Sequence, residues 1–243
     1  MPFVRNRRMK IHYTVEGAGP LVVLQHGLFL DAASWRRIGL IDTLAGTYRV
    51  ACVDSLGHGF SDKPSDSAFY DQEQRSNDIV AVIDDLGYEQ AHLVGHSMGG
   101  WLGVGVAKYH PNRLNSLVVG GWHPTRGLPP GPKGPLVFDS FLPFAKRTAP
   151  KLVEWVKPEF EMGLRACFDS LSQLEGAQEA LTGASFPVMI WDGQSDPHHD
   201  AKQSFAIDNG FRFLSTPGDH LGMLGMSESA QGVRMFLDES TCT

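Results

Sequence analysis

The sequence predicts an α/β protein with a doubly wound, mostly parallel sheet. Apolar runs of strand length alternate with longer segments of helical spacing along most of the 243 residues. Several runs, such as "LVVLQHG" at 21–27, begin with consecutive apolar residues and do not alternate apolar with polar ones, which is typical of strands covered by helices on both faces. The first residues, "FVRNRRMKIHYTVEGAG", instead have the pattern of an antiparallel hairpin at one edge. Repeated strand–helix alternation therefore indicates a parallel sheet with one antiparallel edge.

The first half of the chain supplies most of this predicted sheet. Segment 31–47 has Trp35, Ile38 and either Ile41 or Leu44 on one side, as an amphipathic helix requires. The run at 91–97 stops where a helix-like segment begins. In chain order we predict the edge hairpin at 3–19, strands at 21–27, 48–54, 91–97 and 114–121, and helices at 31–47, 71–87 and 99–110.

The alternation is interrupted once, between about 122 and 185. A proline- and glycine-rich loop at 123–135 is followed by Phe, Leu and Trp residues at helical spacing. We therefore predict a core of 1–122 and 183–243, with 123–182 inserted as a helical cap or lid over one end of the sheet. The alternation resumes with strands at 186–193 and 211–218, and with helices at 199–210 and 228–240.

Composition excludes several classes of function. A net charge of −6 argues against nucleic-acid binding, and the one basic cluster is small and predicted to lie on a solvated edge (Arg5, Arg7, Arg8 and Lys10). Three scattered cysteines, Cys52, Cys167 and Cys242, do not suggest a disulfide framework. The sequence shows neither a signal peptide nor an apolar run long enough to span a bilayer, so we expect a soluble cytoplasmic protein without membrane partners. It predicts no cofactor and leaves the oligomeric state open.

The stretch "GHSMGG" carries the main functional signal. Ser97 lies where a predicted strand turns into a helix, with Gly95 and Gly99 two residues to either side. Glycine at these positions permits the sharp turn, and the N–H groups of the helix start point toward any negative charge that develops there. This context predicts that Ser97 is a nucleophile rather than part of a plain tight turn.

A serine hydroxyl needs a neutral base near pH 7, which points to histidine. His220 is best placed, because "STPGDHLGML" puts it in the loop after the last predicted strand; His198 and His199 are rival bases. A carboxylate should orient that histidine, and "FPVMIWDGQSDP" offers Asp192 and Asp196. We favour Asp196, in the loop beyond the strand, and keep Asp192 as the alternative. Asp200 lies further away, and "HHD" at 198–200 is weak as a metal motif because no second ligand pair accompanies it.

Five motifs in order resemble those of the α/β-hydrolase fold superfamily: "QHGLF", "DSLGHGFSDKP", "GHSMGG", "GQSDP" and "GDH". The resemblance extends over nearly the whole chain and implies a serine hydrolase of the esterase or lactonase type. It implies that the backbone N–H groups of Leu28 and Met98 form the oxyanion hole. Serine at the elbow argues against dehalogenase and epoxide hydrolase chemistry, where relatives place an aspartate.

The predicted function is hydrolysis of a small ester or lactone through an acyl-enzyme, with Ser97, Asp196 and His220 as the triad. Two other chemistries on the same fold stay open, namely hydrolysis of a carbon–carbon bond of the meta-cleavage type and cofactor-free perhydrolysis. A different class of protein, a non-catalytic ligand receptor on this fold, is a further alternative. The apolar insertion predicts a substrate with an apolar portion, and the residues expected to contact it are Phe29, Trp122, Phe141 and Trp155.

Overall fold

The structure is a computed structural model that describes residues 2–130 and 134–241. Within these residues, eight strands form one sheet in the spatial order β1-β2-β4-β3-β5-β6-β7-β8. Their bounds are β1 (Phe3–Asn6), β2 (Met9–Glu16), β3 (Leu21–Gln25), β4 (Arg49–Val53), β5 (Ala91–His96), β6 (Leu114–Gly120), β7 (Val188–Gly193) and β8 (Arg212–Thr216).

The sheet is parallel except at its first edge. Strand β1 pairs with β2 and β2 pairs with β4 in antiparallel fashion, whereas β3 to β8 pair in parallel with their neighbours. Every residue of β3, β5 and β7 is buried, because apolar clusters cover both faces of the sheet. The predicted fold class, including its antiparallel edge, is confirmed.

Helices follow the strands as the alternation predicted. Their bounds are α1 (Ser34–Arg37), α2 (Leu40–Leu44), α3 (Gln72–Asp85), α4 (Met98–Tyr109), α5 (Phe138–Thr148), α6 (Pro150–Val153), α7 (Glu161–Ser170), α8 (Ala177–Thr182), α9 (His199–Asp208) and α10 (Ser227–Thr241). Local sequence explains some of these bounds. Asp71, for example, accepts a hydrogen bond from the Gln74 N–H at 2.8 Å and so caps the start of α3.

The prediction of one continuous helix at 31–47 is wrong. Helix α1 ends at Arg37, and Gly39 adopts a left-handed conformation with φ of 76° before α2 begins. Trp35, Ile41 and Leu44 are all buried, so the apolar spacing did identify the face that packs on the sheet. The periodicity of apolar side chains continues across this two-residue break, although the hydrogen-bonded helix is interrupted at the glycine that adopts a positive φ.

Residues 123–182 contribute α5 to α8 and no strand within their described part, which leaves out 131–133. Most of their buried apolar side chains form a cluster separate from the two that cover the sheet; its members are Phe29, Phe138, Leu142, Ala145, Val153, Leu164 and Phe168. Cys52 and Cys167 are buried free thiols, and Cys242 lies outside the described residues. In the described ranges, no helix has both the length and the apolar character needed to cross a bilayer.

Candidate active site

The sharp turn between β5 and α4 holds Ser97 in a strained conformation. Ser97 has φ of 56° and ψ of −117°, which is uncommon for a residue with a side chain, and α4 starts at the next residue. The Ser97 N–H donates to the Gly120 carbonyl at 2.7 Å, so the neighbouring strand β6 fixes this turn. Strain of this kind is concentrated at functional sites, where surrounding structure maintains it.

Close backbone packing explains why a glycine stands two residues after Ser97. A Cβ added to Gly99 would lie 1.9 Å from the carbonyl oxygen of Gln25, which no real contact allows. The first turn of α4 therefore rests directly on the end of β3, and any side chain at position 99 would push the two apart. The N–H groups at the start of α4 consequently face the same end of the sheet as the loop that follows β3.

His220 and Asp196 lie in contact beside this turn. The distance from His220 Nδ1 to Asp196 Oδ2 is 3.4 Å, and the His220 side chain is 40% exposed, whereas that of Asp196 is 6% exposed. Burial by itself raises the pKa of Asp196. The hydrogen bond from His220, the His198 N–H at 2.8 Å and the Lys202 ammonium at 3.1 Å outweigh that effect and hold the pKa below its ordinary value.

The rival acids and bases have other partners. Asp192 is fully buried and accepts from the Lys202 ammonium at 2.8 Å. His199 contacts Ser215 Oγ at 2.9 Å through Nε2 and the exposed Asp200 through Nδ1. His198 lines the same cavity as Ser97, and its backbone N–H donates a hydrogen bond to Asp196 Oδ1. Throughout 2–130 and 134–241, no group of three His, Cys, Asp or Glu side chains is arranged to hold a metal ion.

The loop after β3 packs against Ser97. A Cβ on Gly27 would lie 3.1 Å from Ser97 Cβ, so Leu28 is next to a residue that packs against the serine. Leu28 lies in this loop, and Met98 is the first residue of α4, directly after Ser97. Asp54 anchors the loop, because its carboxylate accepts from the Ala32 N–H at 2.7 Å.

One cavity of about 530 Å³ contains these groups. Ser97, Asp196 and His220 line it, together with two of the four predicted substrate-contacting residues, Trp122 and Phe141. The other two, Phe29 and Trp155, are not among the lining residues. Phe29 stacks on Phe141 with ring centroids 5.7 Å apart, and the Trp155 indole N–H donates to the Phe29 carbonyl at 3.0 Å. Phe29 thus supports the Phe141 ring of the cavity wall from behind, and Trp155 contacts the backbone of Phe29.

Sequence reasoning missed three polar residues of this site. Lys202 lines the cavity but points its ammonium at two buried carboxylates. His123 also lines it, and burial, assisted by the Arg126 charge, lowers the pKa of His123 to about 4. His96 is buried beside His220 and donates through Nε2 to the His220 carbonyl at 2.8 Å; burial keeps the pKa of His96 well below its ordinary value. No motif marks Lys202 or His123, whereas His96 stands inside the motif around Ser97.

The fold and this arrangement at the carboxyl ends of parallel strands agree with a family match. The model of the alpha/beta hydrolase fold matches residues 20–210, and the chain therefore belongs to that family. Over 119 residues it is 36% identical to a cis-3-alkyl-4-alkyloxetan-2-one decarboxylase of Shewanella oneidensis, a match that covers 48% of this chain and 37% of that protein. Over 106 residues it is 38% identical to a 2-hydroxymuconate semialdehyde hydrolase of a Pseudomonas species, covering 43% of this chain and 37% of that protein.

The matched region thus spans less than half the length of these curated relatives. Solved structures extend the likeness to the whole fold. An enol-lactonase from Burkholderia xenovorans superposes with a TM-score of 0.76 at 19% identity, covering 100% of both chains. A thermophilic esterase from Thermogutta terrifontis superposes with a TM-score of 0.77 at 21% identity, covering 96% of this chain and 94% of that one. At such identities the likeness is one of fold alone.

Proposed function

We propose that this protein is a serine hydrolase that cleaves a small carboxylic ester or lactone through an acyl-enzyme. The observation that carries the proposal is the convergence of Ser97, Asp196 and His220 on one cavity, with Ser97 on a strained turn and Asp196 in contact with His220. The same convergence supports Asp196 over Asp192 as the triad acid. Asp192 is occupied by Lys202 and fully buried.

The groups suggest the following steps. His220 accepts the proton of Ser97 Oγ as the oxygen attacks the substrate carbonyl, and Asp196 holds the imidazole in the tautomer whose Nε2 is free to do so. The N–H groups of Leu28 and Met98 stabilise the oxyanion that forms. His220 then returns the proton to the leaving alcohol. Water, activated by the same histidine, releases the acid and regenerates the serine.

The walls of the cavity support a substrate with an apolar portion. Trp122, Leu128, Leu136 and Phe141 line it beside Ser97. We propose that 123–182 forms a cap over a core made of 1–122 and 183–243, because this segment contributes six of the seven buried members of one apolar cluster, Phe29 being the seventh, and supplies Phe141 to the wall. On this proposal the cap selects the acyl or lactone ring, while the core carries out bond breaking.

One of the relatives supports carbon–carbon bond hydrolysis as an alternative reaction. The Pseudomonas relative acts on 2-hydroxymuconate semialdehyde, so carbon–carbon bond hydrolysis is the alternative reaction for the same serine. Perhydrolysis and a receptor without turnover are further alternatives on this fold. The prediction of a cytoplasmic location stays a prediction.

Labelling with a small fluorophosphonate, followed by mass spectrometry, tests the proposal. We expect one adduct on Ser97 and a loss of esterase activity of about 10⁴-fold or more in Ser97→Ala. Ser204→Ala, at an exposed serine on α9, is the matched control and should keep full labelling. A panel of acyl esters, lactones and aryl diketo acids then ranks the reactions. An adduct on another residue, or full activity in Ser97→Ala, contradicts the proposal. A protein that is not labelled, and that binds a substrate of the panel without turning it over, indicates a receptor.

A further inference from the structure

A buried lysine joins two carboxylates directly behind the candidate triad. Lys202 Nζ lies 2.8 Å from Asp192 Oδ1 and 3.1 Å from Asp196 Oδ1. The three side chains are 4%, 0% and 6% exposed respectively, so the cluster is shielded from water. A charge in such surroundings is costly unless it is paired, and lysine is seldom fully buried.

The two carboxylate oxygens of Asp196 have different partners. Oδ1 accepts from the Lys202 ammonium and from the His198 N–H, whereas Oδ2 faces His220. Asp192 holds the other side of the ammonium through one oxygen, and its second oxygen is buried with no partner among the described residues. Lys202 thereby fixes which edge of the Asp196 carboxylate is presented to the histidine.

The positive charge of Lys202 also affects the protonation of the two carboxylates. The other titratable groups around His220 are the neutral His96 from the end of β5 and Asp219 from its own loop, whose carboxylate accepts from the Gly222 N–H at 2.8 Å. His123, Arg126 and His198 line the same cavity. Lys202 supplies the cation that Asp192 and Asp196 share. Without it, two adjacent buried carboxylates would retain one proton between them. A proton on Asp196 would remove the negative charge that His220 needs.

We propose that Lys202 is a positioning residue that keeps Asp196 ionised and oriented toward His220, with Asp192 as the anchor that holds Lys202 in place. The inference rests on the proposed function, since it assigns Lys202 a role through the triad acid. On this proposal the two neighbouring carboxylates have different roles: Asp196 orients His220, and Asp192 holds Lys202 in place.

Three isosteric variants test this inference: Lys202→Met, Asp192→Asn, and the two combined. In Lys202→Met we expect kcat/KM at pH 7 to fall about 10- to 100-fold, the size of loss seen when groups that orient metal-ligating side chains are removed. The acid limb of kcat/KM should move to higher pH, because the shared proton must first leave. Asp192→Asn removes an anion, so its acid limb should move to lower pH with only a small loss of activity.

The double variant provides the decisive comparison. Since an asparagine amide at position 192 cannot share a proton, Asp196 should ionise again, and the double variant should be more active than Lys202→Met with an acid limb between those of the single variants. Rates are expressed per Ser97 labelled by the phosphonate, which corrects for any unfolded fraction. The inference is overturned if both single variants shift the acid limb in one direction or not at all, or if the double variant is no more active than Lys202→Met. Loss of labelling at Ser97 in the unsubstituted protein would instead overturn the proposed function.

Discussion

Replacing Asp196 by asparagine should trap His220 in the wrong tautomer. The position of Asp196 Oδ1 must be an acceptor, because the His198 N–H donates to it at 2.8 Å and the Lys202 ammonium lies 3.1 Å away. In Asp196→Asn the amide oxygen therefore takes that position, and the NH₂ group takes the place of Oδ2. Asparagine then presents a donor to His220 Nδ1, 3.4 Å away in the unsubstituted protein.

This reversal fixes the size of the expected effect. Nδ1 must accept the new hydrogen bond, so the proton of the neutral ring moves to Nε2, and the ring can no longer take the proton of Ser97. In serine proteases the corresponding change lowers kcat about 10⁴-fold, which corresponds to about 5 kcal/mol of transition-state stabilisation. We expect a loss of similar size in Asp196→Asn.

The assay is kcat and KM for a chromogenic ester, with the active-site concentration obtained by phosphonate titration. The thermal midpoint should stay close to that of the unsubstituted protein, because asparagine retains the oxygen that the His198 N–H requires. Asp192→Asn is the matched control and should lose far less activity. If Asp196→Asn keeps activity within about tenfold while Asp192→Asn falls by orders of magnitude, the assignment of the acid is reversed.

Two further predictions concern the cavity wall and the effect of pH on stability. Phe141→Ala should change the relative kcat/KM for esters of different acyl length while phosphonate labelling persists; Phe144→Ala, exposed on the same helix, should change neither. If Phe141→Ala lowers the thermal midpoint but leaves the preference for acyl chain length unchanged, the cavity wall has no role in substrate selection. Burial lowers the pKa of His92 and of His123 to about 4, so the unfolded chain binds protons that the folded protein excludes. Stability should thus fall by about 5 kcal/mol as pH drops from 6.5 to 4, measured by urea unfolding, and His92→Gln should reduce that fall by about half.

Features with a local cause could be predicted from the sequence. Continuous apolar runs identified the buried parallel strands, and the spacing of glycines around Ser97 identified the turn between β5 and α4. In both cases the signal and its cause lie within a few residues. The break at Gly39 is local too, but a periodic pattern of side chains is insensitive to a single residue of positive φ.

Features set by tertiary packing could not be predicted in this way. Lys202 occupies an ordinary position in a short helix, and only the fold places it against Asp192 and Asp196. The orientation of Trp155 depends on the distant Phe29 carbonyl, which accepts its indole N–H. Proximity to a motif along the chain therefore identified Phe29 as part of the site's surroundings without showing that its ring packs behind Phe141.

The contact between Gly99 and the end of β3 has a consequence for engineering. The backbone of Gly99 contacts the backbone of Gln25, and the space at the Gly99 Cα holds a hydrogen atom and nothing larger. Libraries that randomise the first turn of α4 should therefore yield mostly misfolded clones, and no adjustment of neighbouring side chains can compensate for a backbone clash. Diversity is better introduced at wall positions such as Leu128, Leu136 and Phe141, where side chains surround the cavity and can repack. New selectivity can then be sought without moving the serine.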